Sequence, residues 1–481
     1  MRTNPHAVRA AALAAALAAS FPAPVEGQEA SVAPPTAIVG GRMFDVHAGR
    51  LLENPGVLVV AGRIAAVGLP GEAPPADATV VRLAAEEVLL PGLIDLHAHY
   101  AIDLFGEGRV DELDAYPLLF LANGVTTTFP AGEMEPDRME EAARRWASAG
   151  DGDAPGPRMM RSGPYFGSWR PGWDDDAMTA DSIAAEVAHW AARGVAGFKA
   201  KGIRAEHLRV LIDRAHAHGL TVTGHLDSGF RGSVNTADAI ALGIDRIEHF
   251  LGGATTPPDR SAYASLAELE DADSDALREI MALFIDRGVY FDATLSTYGY
   301  WGPHDAEMTA YWTDEKRFLT PYMRGLVDAR PPRPRNELFA RVSEAKRRTV
   351  KALHDAGGRD LLTLGTDHPS WGEYFSGFGA HREMLALVRA GIPEADVLRI
   401  ATINGARALG VGDRLGSIEP GKWADLFVIG GDPLADIRAA RDVRRVMVRG
   451  RVHDVADLLA RAEGRIGPAG PADEGRWRPD R

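Results

Sequence analysis

Between residues 89 and 367 the chain alternates short apolar runs with amphipathic stretches, and this alternation constrains the fold more than any other feature. Residues 89–97, 124–129, 158–162, 197–200, 221–225, 246–249, 289–293 and 361–366 read as eight strands. Stretches of helical period, such as 180–193, 205–218, 274–286 and 338–356, separate most of them. A hairpin cannot join parallel neighbours, so strands spaced by helices imply parallel pairing through crossovers. Eight such strands in about 310 residues predict an α/β fold, a (β/α)8 TIM barrel with insertions. The largest insertion, 296–335, carries Tyr298, Tyr300, Trp301, Tyr311 and Trp312. A loop of that length inside a compact domain is more often functional than filler.

The flanks have a different texture. Residues 36–90 and again 406–455 hold short β-like runs broken by Gly and Pro, which predicts a small β-sandwich domain built from both chain ends around a barrel at 91–405. The Pro/Gly/charge-rich stretch 464–481 is expected to be disordered. At the start, Arg2 and Arg9 precede an Ala-rich run at 10–19 and then Ser20, Phe21 and Pro22. That order of charge, apolar core and small residues predicts a signal peptide at 1–28, and so a periplasmic or secreted protein. The run is shorter than the roughly 20 apolar residues of a membrane span. A formal charge of −14 argues against a nucleic-acid or anionic-membrane partner. The absence of cysteine removes thiolate nucleophiles and Cys-ligated zinc, leaving His, Asp, Glu or a modified Lys as metal ligands.

Chemistry in a parallel barrel collects at the C-terminal ends of strands. The first strand ends in Asp95-Leu96-His97-Ala98-His99, where His97 and His99, two apart on extended chain, share a face. His225, His249 and Asp367 end later strands, and Lys199 ends the fourth. The remaining His residues lie in helical stretches or away from strand ends. Four imidazoles and a carboxylate suit two divalent ions, zinc first, if an anion bridges them. An ammonium cannot bridge cations, whereas a lysine that has taken up carbon dioxide is a carbamate with two oxygens. Lys199 is assigned that role, with Lys201, on the same strand face, as its rival.

These residues resemble the amidohydrolase superfamily, in its binuclear branch with a carbamylated lysine. Residues 91–99 are similar to the first-strand signature, and 404–410 with 416–426 to the return into the small β domain. The segments ending in His225, His249 and Asp367 resemble the imidazolonepropionase and prolidase-like groups, and the likeness spans 36–452. Around the lysine, Phe198-Lys199-Ala200 looks more like hydantoinases than like the Ile-Lys-Ile core of dipeptidase-like members.

The expected reaction is hydrolysis of an amide or peptide-like C–N bond in a small-molecule or short peptide-like substrate, by hydroxide held between the metals. Asp367 is the expected general base and acid. Tyr165 is a candidate donor to the oxyanion, and Arg231 a candidate partner for a substrate carboxylate. A lactonase or esterase with the same metals, a deaminase with one metal and a barrel kept only as a scaffold are the rival readings. A homo-oligomer is compatible with all of them. Expressed in a Gram-negative host, the full chain should be shortened at its N-terminus and found outside the cytoplasm. N-terminal sequencing of fractionated cells checks this, and an intact start in the cytosol overturns it.

Overall fold

The structure is a computed structural model that describes residues 34–68, 74–105, 109–149, 153–168, 170–227, 232–269, 274–301, 315–331, 334–368 and 375–478. The expected signal peptide and Arg231 lie outside these residues.

The outer sheet comes first in the chain. Strands β1 (Thr36–Asp45), β2 (Arg50–Glu53), β3 (Val57–Val60), β4 (Arg63–Val67) and β5 (Thr79–Pro91) meet β17 (Leu426–Gly430), β18 (Val443–Val448) and β19 (Arg451–Asp454). They form one eight-stranded sheet in the order β19-β18-β17-β5-β1-β3-β4, with β2 on β1. Segments from both flanks of the parallel strands therefore contribute to one continuous sheet. Ile38, Val57, Val59, Ile64, Leu89, Leu426, Val428 and Met447 form its own apolar cluster.

Pro91 closes β5, and after Gly92 the chain enters β6 (Leu93–Ala98), so the outer sheet feeds directly into the parallel strands. The joint is clasped by Asp425, whose carbonyl accepts Gly92 N at 2.9 Å. The Asp425 carboxylate accepts Arg158 Nε at 2.8 Å and Arg449 N at 2.7 Å.

The parallel strands are β6, β9 (Val125–Pro130), β10 (Arg158–Met159), β11 (Ser162–Phe166), β12 (Gly197–Lys201), β13 (Thr221–His225), β14 (Arg246–Glu248), β15 (Tyr290–Asp292) and β16 (Leu362–Thr363). A short hairpin, β7 (Ala101–Ile102) with β8 (Val110–Asp111), follows β6. The helices between them form for local reasons. In Ala180–Ala192, Thr179 accepts from Ser182 N in a capping box, and Ile183, Val187 and Trp190 bury one stripe.

A single closed sheet is not found among the described residues. β10-β9-β6 form a three-stranded sheet and β11-β12-β13-β14-β15-β16 a six-stranded one. The division has a local cause: the third expected strand is interrupted at Met160 and Arg161, so β10 pairs back to β9 and β11 forward to β12. At the other edges Leu96 N donates to Leu364 O at 2.9 Å and Asp367 N to His97 O at 2.8 Å.

The C-terminal tail corrects the expectation of disorder over its described part. Ile466 N donates to Phe318 O at 2.8 Å and Thr320 N to Ile466 O at 3.0 Å. A 3₁₀ turn over Pro471–Trp477 then buries Trp477. The polar composition of this segment hides two large apolar side chains, and their burial with backbone pairing offsets the entropy of ordering the rest. Ile466 is fully buried, so Ile466→Ala should lose about 2–5 kcal/mol in denaturant unfolding. A disordered tail would lose nothing.

Candidate metal centre

The strand ends do not simply continue their alternation. His249, Thr294 and Asp367, just past three neighbouring strands, adopt positive φ of 66°, 47° and 53°. Such backbone costs on the order of 1–3 kcal/mol in a non-glycine residue and persists only where the surroundings enforce it. At β14 the consequence is chemical. Glu248 and His249 are consecutive and should face opposite sides, yet both are buried beside His97, with Glu248 Oε2 3.7 Å from His97 Nδ1 and the two imidazole centroids 5.0 Å apart.

All six residues read from the sequence as ligands come together. His97 Nε2 is 2.8 Å from Lys199 Nζ and 3.4 Å from Asp367 Oδ1. His99 Nε2 faces Asp367 Oδ1 at 3.1 Å, and the His225 ring lies 4.3 Å from that of His249. Lys199 Nζ also lies 2.8 Å from Glu248 Oε2. His97, His99 and Asp367, and separately His97, Glu248 and His249, present ligand atoms within 4.8 Å of one another. Tyr165 is buried with its ring 5.6 Å from Lys199 Nζ.

The hydrogen bonds determine which nitrogen each imidazole offers. The Thr294 hydroxyl donates its one proton to Ala293 O at 2.8 Å, so at 2.7 Å it accepts from His249 Nδ1–H. His249 Nε2 then carries the lone pair, and it is buried with no hydrogen-bond partner among the described residues. At His97 the Lys199 amine donates to Nε2, which leaves the proton on Nδ1, 3.5 Å from Asp292 Oδ1. A ligating histidine with its other N–H held by an oxygen is the arrangement metal sites use, so these donors fit a divalent ion.

The charges agree. Burial first, then neighbouring Lys199 or Lys201, holds His97 and His225 well below the ordinary imidazole value. Burial brings His99 down to about 4. Neutral imidazole is the form that ligates. Burial opposes ionisation of Asp367, but His97, His99 and His249 outweigh it and hold the carboxyl well below the usual range. At Lys199 burial works against the charge, and Glu248 leads the groups that outweigh it and raise the amine. Lys201, in register with His225, is lowered to about 7 by burial and by Lys199.

Sequence reasoning passed over Glu248, Asp292, Arg246 and Thr294. Arg246 Nε lies 3.3 Å from Asp292 Oδ2, and its Nη2 donates to Leu96 O at 2.9 Å. The Ile-Glu-His run around Glu248 was the available signal: alternation puts Glu248 on the face of Arg246, and reading His249 as the ligand put the inward face one residue later. His97→Ala or His99→Ala should abolish turnover and reduce bound metal, measured by elemental analysis, with circular dichroism unchanged. Most activity surviving in either variant would remove both residues from the centre.

The Amidohydrolase family model matches residues 88–453. A 5-methylthioadenosine/S-adenosylhomocysteine deaminase of Syntrophobacter fumaroxidans is 27% identical over 433 residues, 84% of this chain and 89% of the relative. A candidate prolidase from Bifidobacterium longum superposes with a TM-score of 0.65 at 23% identity, covering 90% of this chain and 99% of its own. A Xaa-Pro dipeptidase with methionine bound in its active site superposes with a TM-score of 0.61 at 20% identity, covering 87% and 100%. At these identities the structural likeness speaks for a barrel-type α/β fold and leaves the substrate open. The matched region takes in both the strand-end cluster and the return to the outer sheet, and the chain belongs to the amidohydrolase family.

Proposed function

We propose that this chain hydrolyses an amide or peptide-like C–N bond of a small substrate, using two divalent ions, zinc first, held by His97, His99, His225, His249, Asp367 and a carbamylated Lys199. The barrel in this reading is a closed (β/α)8 ring, supported by the backbone bonds from Leu96 to Leu364 and from Asp367 to His97. The observation that carries the proposal is the place of Lys199. It is 2% exposed, and its Nζ sits 2.8 Å from both His97 Nε2 and a Glu248 carboxylate oxygen. An ammonium among ligands repels a dication strongly in a buried site. Conversion to a carbamate replaces that positive charge with two oxygen donors at the same place.

Divalent ions bound there bring the pKa of water toward neutrality and polarise a carbonyl oxygen. The protein's own groups supply the rest. Asp367, held ionised among the imidazoles, accepts the proton of the attacking water and delivers it to the leaving nitrogen, which would otherwise depart as an amide anion. Burial keeps the Tyr165 hydroxyl protonated, as a donor to the developing oxyanion requires.

A second reading follows from the similar protein named as a deaminase, whose reaction also breaks a C–N bond. A deaminase with one ion would not need the carbamate. An esterase or lactonase would use the same centre on a C–O bond, and a hydrolysis screen of dipeptides, N-acyl amino acids, cyclic imides and lactones separates the classes. Lys199→Ala should lose more than the roughly 10–100-fold that removal of an outer-sphere partner costs, and short carboxylic acids with metal should restore part of the activity. Lys201→Ala should be mild. About two metals per chain are expected by elemental analysis. One metal, with Lys199→Ala active, moves the deaminase reading ahead.

A further inference from the structure

We propose that Glu133 forms a subsite for a primary ammonium group of the substrate, on the turn that packs against Tyr165 beside the metal ligands. The inference rests on the hydrolase reading and narrows its substrates to those bearing a free amine.

Glu133 stands three residues past the end of β9, the same end of the parallel strands that carries His97 and His99. Its backbone is pinned to the neighbouring segment, with Glu133 N donating to Gly163 O at 3.3 Å and a bridge to Pro164. Gly132 before it has φ 80°, and a Cβ there would lie 2.5 Å from the Tyr165 ring. That ring therefore packs directly on the Glu133 turn, and it is the ring that lies 5.6 Å from Lys199 Nζ.

The carboxylate at this position lacks what a buried acid needs. Glu133 is 8% exposed, and its Oε1 is buried with no hydrogen-bond partner among the described residues. Among the described residues the charged groups acting on it are Asp111 and Glu135, both acids. Arg138 is 3.6 Å from Asp111 and 3.5 Å from Glu135. The nearby Tyr100 hydroxyl is engaged with Thr128 Oγ1 at 3.0 Å. A buried carboxylate oxygen left unmet has given up its hydration for nothing in return, which is why such atoms in native proteins require an explanation. Burial and the two acids push its pKa well above the usual carboxylate value, so a cation arriving from outside would ionise it.

A metal ion is the wrong occupant. Among the described residues the groups able to surround one ion both include His97, and neither includes Glu133. An ammonium needs no such cage: it brings three donors and can be held by one carboxylate with water or carbonyl partners. Either an α-amino group or a lysine-type side chain supplies it.

The test uses the metal-loaded full chain and Glu133→Gln, which keeps the shape and removes the charge. Butylammonium chloride should raise the unfolding temperature of the wild type above that in sodium chloride at equal ionic strength, butanol should not, and Glu133→Gln should respond to neither. If the wild type fails to distinguish butylammonium from butanol, or the variant responds as the wild type does, the proposal is overturned. Should the variant not fold, the wild-type comparison alone decides. Kinetics then use pairs of amides differing only in a free or acetylated amine. Glu133→Gln should raise KM for the free amine about tenfold or more with kcat held, and leave the acetylated partner unchanged. Dipeptides against lysine amides acylated at the α-nitrogen identify which amine is bound. Failure of every amide to react defeats the hydrolase reading, while the butylammonium result still decides Glu133.

Discussion

One buried carboxylate holds the two ends of the parallel array together. Asp95, fully buried, accepts from the Thr366 hydroxyl at 2.7 Å, from Thr366 N at 3.1 Å and from His97 N at 3.0 Å. It thereby ties the first strand to the last across 271 positions of sequence. The residues on either side of this clamp are His97 and His99 on one strand and Asp367 on the other, so it brings half of the candidate metal centre into contact. Burial pushes the Asp95 carboxyl up to about 6 even with these three donors in place. An apolar residue there would avoid that penalty but could not set the register of the two strands.

Beneath the ligands lies a buried layer of charge. Arg246 ion-pairs with Asp292 and donates to the Thr223 hydroxyl, and Thr223 in turn donates to Glu248 at 3.0 Å. Buried ion pairs are weak evidence for stability, because desolvation consumes most of the Coulombic gain. Their value here is orientation. Asp292 meets Nδ1 of His97, and Thr294 meets Nδ1 of His249, so both rings are held with Nε2 toward the centre. Rings fixed in this way need no reorganisation when an ion arrives. The left-handed backbone at His249, Thr294 and Asp367 belongs to the same economy, since local strain at these strand ends aims side chains that regular strands would point elsewhere.

Fold and chemistry separate at this point. A barrel-type frame of this family supports both the deaminases and the dipeptidases to which the chain is similar, and neither overall likeness chooses between them. On the proposals made above, the choice lies with a few groups at one end of the strands: the lysine among the ligands, and Glu133 on the turn against Tyr165.

From the sequence alone, local periodicity was sufficient for several conclusions. Alternating strands and helices implied parallel pairing, spacing by two put His97 and His99 on one face, and the strand-end positions of Lys199, His225, His249 and Asp367 made them one candidate set. These follow because pleat and helical repeat are properties of neighbouring residues. Tertiary structure decided what neighbours cannot encode. It buried Lys199 between His97 and Glu248 and placed Lys201 alongside in register with His225. It divided the parallel strands at Met160 and Arg161, and it ordered a tail whose composition reads as disordered, because Ile466 and Trp477 find partners distant in sequence. It also turned His249 onto the face already held by Glu248 through a positive φ at His249, a backbone state imposed by packing around the strand end and invisible to any rule of alternation.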